Sequence, residues 1–191
     1  MNPQEQRFRI PFVTLIILVL NLIGLIYEMS VGENQAVSRF AMYQGALQDG
    51  QWIRLFVSAF LHFGFAHFGS NMLCLAVYGF DLEVRTSWWR YALIYLISIV
   101  GSGLLINFAG GRGIHAGASG AIWGLMTATV VFNLKHQLNP AYALRGIAIN
   151  LFYSFSAGVS WQGHIGGGIA GLLAALLLVN DENENRKVLN P

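Results

Sequence analysis

The chain has 191 residues, of which 55% are hydrophobic and 10% are charged, and its formal net charge is +2. Soluble globular domains contain about 25% charged residues, so this composition, with apolar runs along most of the chain, indicates a polytopic membrane protein. The few basic residues are scattered and form no patch of the kind that nucleic-acid binding requires, so we expect no nucleic-acid partner. Cys74 is the only cysteine, which excludes an intrachain disulfide.

Six apolar segments predict an all-α protein with six transmembrane helices. In chain order they are 11–27, 67–80, 88–108, 119–134, 142–157 and 164–179. The first lacks a small-x-small cleavage site, so it is predicted to be a retained span. The fourth, as a helix, covers only about 24 Å of a hydrocarbon core of about 30 Å. Its first residue, Ser119, is therefore expected to lie below the membrane surface.

The distribution of basic residues predicts the orientation. With six spans, both termini share one side of the membrane, and the positive-inside rule makes that side cytoplasmic. The predicted cytoplasmic side carries eight basic residues, Arg7, Arg9, Arg85, Arg90, Lys135, Arg145, Arg186 and Lys187, against Arg39, Arg54 and Arg112 on the other. The beginnings of the fourth and sixth spans then both face the extracytoplasmic side.

The chain is divided into a short cytoplasmic segment (1–10), one helical domain (11–180) and a polar cytoplasmic tail (181–191). Residues 30–66 form a connection longer than simple loops between neighbouring helices. It mixes polar residues with Trp52, Phe56 and Phe60 at helical spacing, which predicts short amphipathic helices in the outer interface.

Ser119 and His164 are the candidate reactive residues. Each begins an apolar segment, where polar groups are expensive and tend to face a cavity. A neutral imidazole accepts the proton that makes a serine hydroxyl nucleophilic. Because no acidic residue lies near the sixth span, we predict a Ser-His dyad, with Trp123 packed against the ring. The alternative is structural: a hydroxyl bonded to its own helix and a hydrogen-bonded interfacial histidine.

Small residues recur every fourth position on the two segments that carry this pair. Such rows let membrane helices approach closely, and we expect the fourth and sixth helices to pack along them. The predicted packing residues are Gly117, Gly120, Gly163, Gly167 and Gly171, with Gly124 continuing the shorter row. Rows of this kind also occur in membrane helices without any reactive site.

His67 and Asn71 are spaced i, i+4 and so share one helix face near the same side. With the backbone N–H of Ser119 they are candidate donors to an oxyanion, although polar residues also join membrane helices without catalysis. Zinc chemistry is the rival, since His62, His67, His115 and His164 fall on this side. The chain has no His-Glu-x-x-His and no second cysteine, so we expect neither a metal nor another cofactor.

Together these residues resemble the rhomboid intramembrane serine proteases over about 52–178. The resemblance is carried by three motifs in the order and placement of that family. They are His62-Phe-Gly-Phe-Ala-His67-Phe-Gly-Ser-Asn71, Gly117-Ala-Ser119-Gly120 and His164-Ile-Gly-Gly-Gly-Ile-Ala-Gly171. A Glu83-Val-Arg85 element after the second span adds to the resemblance. The resemblance implies a six-transmembrane-helix rhomboid bundle with a short central fourth helix and a mobile fifth helix. It implies Ser119 as nucleophile, His164 as base, and His67, Asn71 and the Ser119 N–H as oxyanion donors.

The expected function is therefore cleavage of transmembrane protein substrates in or beside their spans. The protein is expected in the cell membrane with the site opening outward; the sequence defines no oligomeric state. Two departures from the family pattern are Trp52-Ile-Arg54, where Trp-Arg is often adjacent, and Trp123, where Tyr or Phe is common. A catalytically silent binder of transmembrane proteins and a small transporter are the non-protease alternatives.

Overall fold

The computed structural model describes residues 10–154 and 160–179. Most of them lie in eight α-helices, which are α1 (Phe12–Val31), α2 (Glu33–Phe40), α3 (Arg54–Val57), α4 (Gly64–Arg85), α5 (Trp88–Ala109), α6 (Ser119–Lys135), α7 (Ala141–Ser154) and α8 (Trp161–Leu178). A short 3-10 helix, Ser58–Phe60, follows α3. The described part of each predicted apolar segment lies almost entirely in one helix, so the helical prediction is confirmed. The end of the fifth segment, most of the N-terminal segment and the C-terminal tail lie outside the described residues.

Most of the buried side chains of α1 are polar, and most of its exposed side chains are apolar. Its buried residues are Thr14, Ile17, Asn21 and Glu28, which follow one face at helical spacing. The exposed residues include Leu15, Ile16, Val19, Leu20, Leu22, Ile23 and Ile26. A helix surrounded by lipid is expected to expose apolar side chains and to keep its polar contacts buried, as α1 does.

Three helices among the described residues are long and apolar enough to span a membrane, namely α1, α5 and α8. A fourth span is possible by length and composition if α4 is joined to the segment Arg54–Phe60, which meets it at a bend of 95°. Helix α6 has 17 residues, about 25 Å of length, and α7 has 14. The chain is a membrane protein by these measures, and the six-span count stays a prediction.

Helix α6 lies at the centre of the bundle, in contact with α4, α5, α7 and α8. Its contact with α8 is made by glycines. A Cβ added at Gly167 would lie 1.9 Å from the carbonyl oxygen of Gly120, and one at Gly171 would lie 2.3 Å from the Cα of Gly124. Only residues without side chains permit this backbone approach. The two predicted rows therefore do face each other.

Helix α5 packs against α6 and α8 through small residues that the sequence analysis did not single out. Ser98 and Ser102 face Gly124 and Gly120 of α6, where an added Cβ would come within 1.9 and 2.2 Å of their hydroxyl oxygens. Gly101 meets α8, since its added Cβ would lie 2.7 Å from the carbonyl oxygen of Gly166. Three helices thus share one tightly packed centre.

The long first connection is folded and anchored. The Arg54 guanidinium donates to the backbone carbonyls of Ala41 at 2.7 Å and Ser38 at 3.2 Å, which ties α3 to the end of α2. Trp52 lies outside the helices and is exposed, as is Phe56. Short helices are therefore present as predicted, while their position at a membrane interface stays a prediction.

A two-stranded antiparallel sheet, absent from the predicted elements, joins this connection to the loop before α6. Strand β1 (Met42–Tyr43) pairs with β2 (Ile114–His115), with Met42 opposite His115. A further bond runs from the N–H of Gly117 to the carbonyl of Ser58 at 2.9 Å. The loop that leads into Ser119 is therefore held from two sides.

Candidate active site

Ser119 and His164 meet at one end of the α6–α8 contact. The Oγ of Ser119 lies 2.9 Å from the Nε2 of His164, although the two residues are 45 positions apart. Ser119 is the first residue of α6, and His164 is in the first turn of α8. The pair meets because the glycine rows bring the two helices together just beyond it.

Local sequence places each member of the pair at a helix start. Ser160 caps α8, since its Oγ accepts the N–H of Gly163 at 3.2 Å, and serine is a favoured N-cap residue. Before α6, Gly117 has a φ of +127°, a conformation open to glycine and strained for other residues. Gly117 was predicted as a helix-packing residue; it lies instead in the loop, against the ring of His67.

Within the described part of the chain, Trp123 and Ser154 also contact the His164 ring. The indole of Trp123 stacks on it, with ring centroids 5.3 Å apart and an angle of 16° between the planes. The Nδ1 atom lies 2.5 Å from the Oγ of Ser154, at the end of α7. Trp123 was expected here. Ser154 was missed, because a serine in an apolar segment carries no signal of what it will face.

His67 and Asn71 lie in the first two turns of α4, at the same end of the bundle. The Nδ1 of His67 accepts the N–H of Phe63 at 3.2 Å, so in the neutral ring the proton sits on Nε2. The Nδ2 of Asn71 donates one hydrogen to the carbonyl of His67 at 2.8 Å, which leaves its second hydrogen available. Each side chain thus retains one donor.

An open cavity of about 890 Å³ joins these groups. The polar side chains that line it include His67, Ser70, Asn71, Ser119, Asn150 and His164. Phe63, Ile122, Trp123 and Ile149 supply apolar walls. The cavity is therefore large enough for a segment of extended chain and has hydrogen-bonding groups in its wall.

A buried contact supports the helix that carries His67. The carboxylate of Glu28, on α1, accepts the backbone N–H of His62 at 2.7 Å. The His62 ring is 1% exposed and packs edge-on against His67, with centroids 5.3 Å apart. Sequence reasoning missed Glu28, whose partner is a backbone group 34 residues away.

His115 has a separate environment in the loop before α6. Its Nε2 lies 3.0 Å from the carbonyl oxygen of Gly110. Burial lowers the pKa of His115 below its ordinary value, and the hydrogen bond to Gly110 opposes that shift. Within the residues that the structure describes, no three His, Cys, Asp or Glu side chains are grouped to hold a metal ion.

The fold and the site together define a class of protein. It is a helical membrane protein in which a serine and a histidine are in contact beside an open cavity. Residues 49–181 match the Rhomboid domain, which is more than half of the chain. The chain belongs to the rhomboid family, as its motifs predicted.

Three relatives illustrate the similarity. The chain is 34% identical over 155 residues to rhomboid-type serine protease 2 of Emericella nidulans, covering 75% of this chain and 31% of that protein. It is 35% identical over 141 residues to rhomboid protease GluP of Bacillus subtilis, covering 69% and 27%. An uncharacterized protein of Mycobacterium bovis is 29% identical over 185 residues, covering 88% and 77%. The chain thus spans about a third or less of the two named proteases.

Proposed function

We propose that this protein is an intramembrane serine endopeptidase that hydrolyses peptide bonds in or beside the transmembrane segments of membrane-protein substrates through a Ser-His dyad. The observation that carries the proposal is the 2.9 Å contact between Ser119 Oγ and His164 Nε2. The proposal is supported by the names of two relatives, one a rhomboid-type serine protease and the other a rhomboid protease. A hydroxyl and an imidazole in hydrogen-bond contact are the arrangement that activates a serine nucleophile.

In the first half-reaction, Ser119 Oγ attacks the carbonyl carbon of the scissile bond while His164 Nε2 takes the hydroxyl proton. The tetrahedral intermediate collapses as His164 returns that proton to the departing amine, which leaves an acyl ester on Ser119. Water then attacks the ester, with His164 as base, and releases the carboxylic acid and the free hydroxyl. No third ionisable group is required for this sequence.

The negative charge of each intermediate forms on the carbonyl oxygen. We assign three donors to it, which are the Nε2–H of His67, the free amide hydrogen of Asn71 and the backbone N–H of Ser119. Ser119 begins α6, so its N–H has no partner within that helix, and the helix N-terminus favours an anion there. The positions of His67 and Asn71 on the wall of the same cavity support this assignment.

The membrane setting follows from the same residues. We propose six spans in a single domain, 11–180, formed by α1, α4, α5, α6, α7 and α8. The positive-inside count favours cytoplasmic termini in the cell membrane, with the cavity opening toward the extracytoplasmic side. The short α6 then holds Ser119 below the surface, where polar backbone is tolerated because it lines a cavity. The partners are the lipid bilayer and transmembrane protein substrates.

The test uses the full chain, purified and reconstituted into liposomes with a panel of single-span proteins, with cut sites mapped by mass spectrometry. Ser119→Ala should fold and lose cleavage. Ser70→Ala is the matched control, since Ser70 lines the same cavity and its hydroxyl donates to the carbonyl of His67. Labelling by a fluorophosphonate should follow the same pattern. Retained cleavage by Ser119→Ala refutes the proposal, and wild-type protein that neither cleaves the panel nor reacts with the probe indicates a silent binder.

A further inference from the structure

We propose that Ser154, on α7, is a positioning residue for His164. Its hydroxyl oxygen accepts the Nδ1–H of the ring and so keeps Nε2 unprotonated toward Ser119. This inference rests on the proposed function and adds a third side chain to a pair that the sequence predicted to work without a hydrogen-bonded partner.

The first argument is the short contact between the two side chains. Ser154 Oγ and His164 Nδ1 are 2.5 Å apart, and the residues are 2% and 6% exposed. At this distance two lone pairs would repel, so a proton must lie between the atoms. That proton comes either from the hydroxyl of Ser154 or from the ring of His164.

The second argument decides which group supplies it. Ser154 Oγ also lies 2.8 Å from the backbone carbonyl of Asn150. A carbonyl oxygen can only accept, so this contact uses the one hydroxyl proton of Ser154. The proton between Oγ and Nδ1 therefore belongs to the ring, and His164 is the donor.

The third argument follows from the proton count of histidine. A neutral imidazole carries one ring proton, so a proton on Nδ1 leaves a lone pair on Nε2. That lone pair faces the hydroxyl of Ser119 at 2.9 Å. The tautomer selected by Ser154 and the carbonyl of Asn150 is thus the one that can remove the serine proton.

Ser154 and Trp123 constrain the ring in different ways. The stacked indole of Trp123 sets the plane of the imidazole, whereas the hydrogen bond to Ser154 sets its rotation within that plane. When Nε2 takes the serine proton, the ring becomes a cation and still donates through Nδ1. Hydrogen bonds from a charged donor are stronger than neutral ones, so Ser154 assists the step as well as the ground state.

The bond also links the site to the position of α7. At its other end, α7 is attached to α4 through Tyr142, which stacks on Tyr78 and hydrogen-bonds Asp81. Between these ends, Leu144, Ile149 and Phe152 are exposed apolar residues. A movement of the Ser154 end of α7 would remove the Nδ1 acceptor, so the reactivity of His164 depends on where α7 lies.

The kinetic experiment compares variants of the reconstituted full chain. Ser154→Ala should lower kcat about tenfold with little change in KM, because the lost hydrogen bond is stronger when the ring is a cation. The substrate contacts are kept. Ser154→Thr retains the hydroxyl and should restore most of kcat. Ser98→Ala is the matched control, since Ser98 is buried and donates to the carbonyl four residues before it but does not contact His164. An unchanged kcat in Ser154→Ala overturns the proposal.

A spectroscopic readout separates this inference from the proposed function. In protein labelled with ¹⁵N-histidine, the ring shifts distinguish the Nδ1–H and Nε2–H tautomers, and His164→Gln identifies the resonances by their loss. Wild-type His164 should be Nδ1–H, and Ser154→Ala should populate both tautomers. An Nε2–H ring in the wild type overturns the inference even if Ser154→Ala fails to fold. Cleavage by Ser119→Ala would instead refute the proposed function and leave the tautomer result standing.

Discussion

The substitution Gly167→Ala tests whether backbone contact between α6 and α8 builds the site. A Cβ at this position would lie 1.9 Å from the carbonyl oxygen of Gly120 and 2.5 Å from its carbonyl carbon. Ordinary contact begins at 3.4 Å, so the helices must separate by about 1.5 Å. The obstacle is backbone, which cannot turn aside as a flexible side chain does.

The consequence for the site follows from the positions of the reactive residues. Ser119 directly precedes Gly120, and His164 lies one turn before Gly167. Separation of the helices by this amount lengthens the 2.9 Å contact between Ser119 and His164 to about 4 Å, which is beyond a hydrogen bond. A misplacement of about 1 Å can reduce a rate about 10²-fold. We expect a loss of that size, with a destabilisation of about 1–3 kcal/mol from overpacking.

Gly168→Ala is the matched control, because it makes the same change one position further along the same helix. Its added Cβ would lie 3.5 Å from the indole of Trp123 and 3.6 Å from a methyl carbon of Thr127. Both are ordinary contacts, and alanine favours the helix over glycine by up to about 1 kcal/mol. We expect near-wild-type cleavage and an unchanged or slightly higher melting temperature.

Cleavage of a single-span substrate in liposomes and thermal unfolding in detergent measure the two effects. If Gly167→Ala cleaves at the wild-type rate, or if Gly168→Ala is equally damaged, the reasoning from backbone contact is refuted.

Two further predictions concern polar side chains at opposite ends of α4. Asn71→Ala should reduce kcat about 10²-fold or more, as loss of one oxyanion donor does. The control Asn150→Ala removes another amide that donates to the backbone in the same cavity, and it should retain most activity. Equal cleavage by wild type and Asn71→Ala would remove Asn71 from the oxyanion role. Glu83→Gln should lower the free energy of unfolding by about 1–3 kcal/mol. The Glu83 carboxylate accepts three hydrogen bonds from Val13 and Thr14, whereas an amide has only one acceptor oxygen. Unfolding in mixed micelles measures this change against the exposed control Glu33→Gln, and a Glu83 variant as stable as wild type would show that this contact contributes little.

Helix positions and candidate groups were readable from the sequence for a physical reason. Apolar runs are a strong local signal, and the described part of each of the six runs lies almost entirely in one helix. The spacing of Gly163, Gly167 and Gly171 predicted close helix packing, because that requirement is also local. Ser119 and His164 were visible because polar residues at the ends of apolar segments are conspicuous.

Contacts that depend on distant backbone were not readable in this way. Strands β1 and β2 are two residues each, too short for any periodicity. Glu28 accepts the N–H of His62, 34 positions away, and nothing in the sequence near Glu28 indicates that partner. Gly117 was assigned to helix packing, whereas its contact in the fold is with the ring of His67 on α4.

The sequence by itself determined that the protein lies in a membrane, where its helices run and which two residues are the candidate reactive pair. Each of these depends on the chemistry of residues near one another in the chain. The tertiary structure alone decided which nitrogen of His164 faces Ser119 and which group holds the other. That choice depends on the carbonyl of Asn150 and the hydroxyl of Ser154, and no pattern in the sequence encodes where a proton will lie between side chains on two packed helices.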